Sequence, residues 1–152
     1  MHEQFFEQIK RDHSEVKSIL NKMVEKENSS QRAQLKKQIE KALVPHMKAE
    51  ESILYPVLKE NKKSRDSALE AIEEHHASEL ILNEILSLRP ENELWPAKCE
   101  VLKTLIEHHI DEEEHKIFNI CRDLISAEQI GKMLTGFAEE KVWYVSRITG
   151  VL

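Results

Sequence analysis

Apolar residues recur along this chain in alternating steps of three and four. They form four long stripes: Phe6, Ile9, Val16, Leu20 and Met23; Ile39, Leu43, Ile53 and Val57; Ala68, Ile72, Leu82 and Leu86; and Leu102, Ile106, Ile117, Ile120 and Leu124. Steps of that size place residues on one face of a helix. The stripes predict helices over roughly 2–26, 30–60, 66–88 and 95–124, followed by a short fifth helix over roughly 127–147. The breaks between them have local causes. Asn28 precedes Gln31 in a capping-box pattern, as Ser67 precedes Glu70 and Ser126 precedes Gln129. Arg89-Pro90-Glu91-Asn92 separates the third helix from the fourth, and Pro96 suits a first helical turn. Pro45 and Pro56 lie inside the second stripe, where each removes a backbone donor and is expected to kink or end the helix. Four amphipathic helices with short connections predict an all-α, up-down-up-down antiparallel four-helix bundle. It would form a single domain over 1–152, with the bundle at about 2–125.

Each stripe is interrupted near its middle by the same kind of residue. The intruders are His13, His46, Glu50, His75, Glu79, His109 and Glu113. Burying several carboxylates uncompensated costs several kcal/mol apiece. A small bundle with a net stability of about 5–15 kcal/mol cannot absorb that cost. A cation bound by all of them would compensate it. Residues four apart share a helix face, so His46/Glu50, His75/Glu79 and His109/Glu113 would each aim two donors at one point. Imidazole with carboxylate suits iron, zinc or manganese rather than calcium. Seven ligands exceed the needs of one tetrahedral ion, which favours two metals. A single such His/Glu pair is ordinarily an exposed surface pair; three in the core phase, together with His13, are not.

An internal repeat supports the same conclusion. His13 and His46 are 33 residues apart, and His75 and His109 are 34 apart. His46-Met-Lys-Ala-Glu50-Glu51 echoes His109-Ile-Asp-Glu-Glu113-Glu114, and the pairs Leu54-Tyr55 and Ile117-Phe118 follow. Two matching hairpins would surround the metals about a pseudo-twofold axis.

With Ile9-Lys-Arg-Asp-His13, the Leu-Tyr-Pro after the first His-x-x-x-Glu, Glu74-His75, and the Ile-Phe after the last, nearly the whole chain resembles the hemerythrin-like, or HHE cation-binding, proteins. The resemblance implies a non-haem di-iron centre inside the bundle: two iron ions, Fe-Fe or mixed-metal, with a bridging oxo or hydroxo group. Glu50 and Glu113 correspond to the bridging carboxylates; His13, His46, His75 and His109 correspond to terminal imidazole ligands. The oxygen carriers of the family have a second His one turn after the third-helix His, where this chain has Glu79. Its stripe phase turns Glu79 inward, making it the expected seventh ligand. An anionic donor there favours the ferric state and argues against simple reversible oxygen carriage. The final carboxylate follows His109 by four residues, as in the bacterial hemerythrin-like proteins, rather than five. The implied function is to bind or respond to oxygen, nitric oxide, peroxide or iron, more as a ligand-binding protein than as a dedicated enzyme.

A ferritin-like di-iron oxidase or ferroxidase is the alternative, since Glu73-x-x-His76 and Glu112-x-x-His115 match its motif letters. Both His residues fall out of core phase. His76, His108 and His115 read as surface or outer positions. Glu51, Glu74, Glu112 and Glu114 read as solvated faces, with a lesser role as acceptors that orient ligand imidazoles. Tyr55 reads as packing, and Trp143 with Tyr144 as an amphipathic cap over the bundle. A metal-free structural bundle is the third reading, and it must explain seven buried polar residues.

Composition narrows the partners. Acids outnumber bases 28 to 22, a net −6 that disfavours nucleic acid, which selects a basic stripe. No apolar run is long enough to span a membrane, and the N-terminus has no signal-like apolar core. Cys99 and Cys121 form neither a CxxC motif nor a framework, so reduced core-filling thiols in a cytoplasmic protein are expected. The expected partner is a small diatomic ligand or peroxide.

Overall fold

Asn28 opens the second helix by accepting from the Ser30 and Gln31 amides at 2.8 and 3.3 Å, and Ser126 opens the last by accepting from the Gln129 amide at 3.2 Å, as their spacing predicts. The chain, in a computed structural model that describes residues 2–25 and 28–150, is helical with no strand among those residues. The expected end of the first helix, at 26, lies outside them. The first rod is α1 (His2–Glu25). The second runs through α2 (Ser29–Ala49), a π-helical turn (Glu50–Leu54) and α3 (Tyr55–Glu60). The third is α4 (Arg65–Ser87). The fourth runs through α5 (Trp95–Glu112), a second π-helical turn (Glu113–Ile117) and α6 (Phe118–Leu124). The last helix is α7 (Ala127–Thr149).

α1 packs on α2 and α5, and α4 packs on α3 and α5, while α7 lies along α2, α1 and the first π turn. Helix α7 runs two residues past the expected end at 147; it ends where Gly150 takes φ 74°, a left-handed conformation open to glycine. Ile130, Met133 and Phe137 supply its buried face. Trp143 is nearly half exposed and sets its ring edge-on to that of the half-buried Tyr144. Helix α4 begins before Ser67; Ser64 lies at its start, with a buried hydroxyl donating to the Leu58 carbonyl at 2.6 Å.

The two π turns correct the predicted stripes. The Tyr55 amide bonds the Glu50 carbonyl and the Phe118 amide bonds the Glu113 carbonyl, five residues back instead of four. The extra residue advances the buried face by one position. Leu54 and Leu58 are buried where Ile53 and Val57 were expected, and Cys121 and Ile125 where Ile120 and Leu124 were expected. Pro45 sits within α2 without ending it, and Pro56 falls in the first turn of α3.

The apolar core is in two parts. One gathers Phe5, Phe6, Leu54, Leu58, Ala68, Ala71, Phe118 and Cys121, with Phe137 of α7. The other gathers Val16, Leu20, Leu35, Leu43, Leu82, Ile85, Trp95, Leu102 and Ile106. In every rod the His and Glu residues fall between the segments that feed the two parts, so a polar layer divides the core.

Candidate metal centre

Four imidazoles and two carboxylates meet in that layer. His13, His46, Glu50, His75, His109 and Glu113 are all buried, and both Glu residues have no solvent exposure. They form two groups, each with donor atoms within 4.8 Å of one another: His13, His46, Glu50 and Glu113; and Glu50, His75 and His109. Glu50 belongs to both. Its Oε2 lies 3.2 Å from His46 Nε2, and its Oε1 lies 3.1 Å from His75 Nε2. Glu113 is split in the same sense, with Oε1 3.1 Å from His13 Nε2 and Oε2 3.5 Å from His109 Nε2. Each π turn begins on one of these two carboxylates, the structural counterpart of the sequence repeat.

The imidazoles are fixed from outside by a closed ring of acids. His46 Nδ1 lies 2.8 Å from Asp12 Oδ2, and His75 Nδ1 lies 2.7 Å from Glu51 Oε2. His109 Nδ1 lies 2.8 Å from Glu74 Oε1, and His13 Nδ1 lies 2.6 Å from Glu114 Oε2. A carboxylate only accepts, so each Nδ1 carries the proton and donates. Every Nε2 is thereby turned inward with its lone pair free in the neutral ring. The ring has one sense: the first rod holds the second, the second the third, the third the fourth, and the fourth the first. Each acid also neighbours a residue of the inner layer in sequence. Glu51, Glu74 and Glu114 thus orient imidazoles rather than lie on solvated faces, and Asp12, which the sequence pattern does not single out, does the same. The available signal was an acid adjacent to an inward residue in each rod.

Four inner atoms remain without a hydrogen bond: His13 Nε2, His46 Nε2, Glu50 Oε2 and Glu113 Oε1. All belong to the first group. In the second, His75 Nε2 and His109 Nε2 face each other at 3.1 Å, which two lone pairs tolerate only with a cation or a proton between them. Buried donors left this way are costly. Their chemistry, imidazole nitrogen with bridging carboxylate oxygen, fits a pair of transition-metal ions.

Tyr55 belongs to this layer too, although its sequence context suggested packing. It has no exposure, and its hydroxyl donates to Glu113 Oε2 at 2.6 Å. The same oxygen is 3.2 Å from Glu50 Oε1 and 3.3 Å from the Nε2 atoms of His75 and His109. The added residue of the first π turn turns Tyr55 inward, which a regular stripe could not reveal.

Glu79 is not brought to the layer. The buried face of α4 runs through Ala68, Ala71, His75, Ser78, Leu82 and Ile85. It is thus centred between His75 and Ser78, and Glu79 lies at its margin. The Glu79 carboxylate instead meets Lys48 Nζ at 2.7 Å. The ferritin-like alternative loses its motif residues as well. His76 pairs with Glu73 at 3.4 Å, both more than half exposed, and the exposed His115 pairs with Asp111.

Without metal, the layer holds protons. Burial pushes His46 down, but the charge of Glu50 and the Asp12 hydrogen bond outweigh it and raise it to about 10. Burial likewise opposes His13, His75 and His109, yet their carboxylate partners raise all three. Burial lifts Glu50, and the charge of His46 overrides it and holds Glu50 well below the usual range. Burial and the charges of Glu113 and Glu50 keep the Tyr55 phenol neutral. Burial pushes both Cys99 and Cys121 up to about 12, so these free thiols act as core fillers.

Beside the imidazoles, Val16, Leu43, Met47, Ile106 and Ile110 line a cavity of about 10 Å³, the scale of one water-sized probe. Its protein walls are apolar apart from the rings of His13, His46, His75 and His109.

The family model for the hemerythrin HHE cation-binding domain matches residues 4–121. The chain belongs to that family. A DNA nickase from Nostoc sp. (strain PCC 7120 / SAG 25.82 / UTEX 2576) is 25% identical to this HHE protein over 142 residues, covering 93% of this chain and 40% of the nickase. The chain therefore spans well under half the length of that relative. No solved structure matches the HHE protein. The family match ends inside α6, so α7 lies beyond it. No helix among the described residues is long and apolar enough to cross a membrane.

Proposed function

We propose that this HHE domain is a two-metal protein, with iron as the resident metal, that binds or responds to a small ligand such as oxygen, nitric oxide or peroxide, or to iron itself. The observation that carries this reading is the pair of donor groups sharing Glu50, with four buried, inward-facing atoms that face one another at 3.1–3.2 Å in two His/Glu pairs without forming a hydrogen bond. His13 and His46 would hold one ion and His75 and His109 the other, with Glu50 and Glu113 spanning both. Tyr55 offers a hydroxyl on the side of the second. Glu79 pairs with Lys48 instead, and the proposed set is these six side chains. The segments that share one core part, near Phe5, Leu58, Ala68 and Cys121, alternate between starts and ends of successive rods, which supports an up-down-up-down bundle.

A bound iron pair would supply one-electron redox chemistry and open coordination positions. The chain's own residues do the rest. Asp12, Glu51, Glu74 and Glu114 hold the imidazoles in one tautomer and one orientation. Val16, Leu43, Met47, Ile106 and Ile110 make the wall beside the imidazoles apolar, which is a poor surrounding for water. Tyr55 keeps its proton and donates it to Glu113 Oε2, so it can follow a change of charge on that carboxylate by keeping or weakening one bond.

Nicking belongs to the named relative as a whole, and the shared 40% of its length is here an acidic domain with a net charge of −6. We therefore read the shared part as the metal-holding part. Metal analysis of the purified chain, with optical spectra of the reduced protein before and after air, tests the reading. Two irons per chain and an air-sensitive spectrum are expected. Normal iron binding by both His46→Ala and Glu113→Ala, or no stoichiometric metal in the parent, would overturn it.

A further inference from the structure

The helix that lies beyond the family match reaches the metal layer. Lys141, near the middle of α7, places Nζ 2.6 Å from Asp12 Oδ1. The other oxygen of that carboxylate, Oδ2, accepts from His46 Nδ1 at 2.8 Å. Phe137, one turn earlier on α7, sets its fully buried ring edge-on to the His46 imidazole, with centroids 5.8 Å apart. The Lys141 ammonium lies 5.9 Å from the centre of that same ring. His46 is thus held on one side through Asp12 and on another by Phe137, and both holds come from, or are braced by, α7.

We propose that α7 is a working part of the centre and that Lys141 is a positioning residue for the ion held by His13 and His46. A carboxylate with one free oxygen can rotate about its last bond. The ammonium on Oδ1 fixes that rotation and leaves Oδ2 as the acceptor for His46. The imidazole then keeps its proton on Nδ1 and its lone pair on Nε2, which is buried and makes no hydrogen bond. Asp12 is the least exposed of the four outer acids, at 11% of its side chain against 19–23% for Glu74, Glu51 and Glu114. It is therefore the one least able to replace a lost partner with water. The opposite ion has a different support: Glu51 behind His75 meets Lys48 of its own rod at 3.4 Å. The two positions should thus respond differently to α7.

This inference rests on the two-metal reading, and the experiment separates the two. Metal-free chain is titrated with cobalt(II) and followed by visible absorption, for the parent, Lys141→Met, Lys141→Arg, Asp12→Asn and the exposed control Lys132→Met. The parent is expected to take two equivalents. Loss of an outer partner of a ligand imidazole weakens metal binding by about 10–100-fold. Asp12→Asn is expected in that range at one position only. Lys141→Met, one step further out, is expected near the lower end, roughly tenfold, again at one position. Lys141→Arg, which keeps the charge, is expected to restore binding, and Lys132→Met to match the parent. A parent that takes no cobalt overturns the two-metal reading and this inference with it. A parent that takes two equivalents while Lys141→Met binds both within twofold of it overturns the inference alone. Equal weakening of both positions in Lys141→Met, with a lower melting temperature, also overturns it, since that is the mark of a general structural role.

Discussion

Replacing Tyr55 with Phe removes a single oxygen from the densest point of the polar layer. The ring stays, and with it the packing of a fully buried side chain. What disappears is the donor to Glu113 Oε2 at 2.6 Å, and with it the contacts to Glu50, His75 and His109 at 3.2–3.3 Å. A hydrogen bond to a charged group contributes about 1.5–3 kcal/mol, and a buried acceptor left unmade costs a similar amount. Glu113 has no exposure and cannot turn to water instead. The metal-free Tyr55→Phe chain is expected to lose about 2–3 kcal/mol, or roughly 5–10 °C of melting temperature for a chain of this length. Thermal and urea unfolding of the metal-free protein measure both. A loss under about 0.5 kcal/mol, the range of an ordinary surface substitution, would refute the placement of the hydroxyl among the carboxylates and imidazoles.

Other consequences can be checked on the same preparations. Glu79→Gln is expected to retain two metals per chain while Glu50→Ala retains none tightly; metal analysis after gel filtration decides, and equal loss in both would return Glu79 to the ligand set. All four inner imidazoles are raised above 6.5 in the metal-free chain, His46 to about 10, so binding a metal at pH 7 must release protons. Calorimetric titration in buffers of different ionisation enthalpy is expected to show that release and an affinity that rises with pH; no proton release would contradict it. The same shifts set the stability of the metal-free chain. The raised His residues stabilise fully below 6.5, and that contribution fades as pH rises through their folded values, about 10 for His46. The lowered Glu50, Glu51, Glu74 and Glu114 stabilise above 4.5 and lose that contribution as pH falls. Melting temperature without metal should therefore peak between 4.5 and 6.5, and a peak near pH 9 would be inconsistent with these shifts. Removing metal from the loaded protein with a chelator should lower its melting temperature at pH 7.

The inner layer was legible because buried His and Glu at steps of three and four break an otherwise apolar stripe. Six of the seven residues singled out that way meet in space. Glu79 does not join them for a geometric reason: after His75 a helix offers either 78 or 79 to the core, and Ala71 and Ile85, rather than Ile72 and Leu86, set the face. The π turns left no mark in the composition of Glu50–Leu54 or Glu113–Ile117. Their effect appears only as a one-residue advance of the stripe, which brings Leu54, Tyr55 and Cys121 inward and lets Ile53 and Ile120 drift to the margin. The outer acids were visible as neighbours of the inner residues, but adjacency in sequence does not say which rod an acid serves. Asp12 sits beside His13 and serves His46 instead. Likewise, the length of α7 could be read from its caps, whereas the reach of Lys141 to Asp12 depends on how α7 lies across α1 and α2.

The claim that two ions share Glu50 is tested most directly by counting metals in an anaerobic iron(II) titration of the metal-free chain, in parallel with His13→Ala and His75→Ala. Two equivalents are expected for the parent, and each variant should weaken a different one of the two. A parent that saturates with a single equivalent, or variants that each bind iron as the parent does, would contradict it.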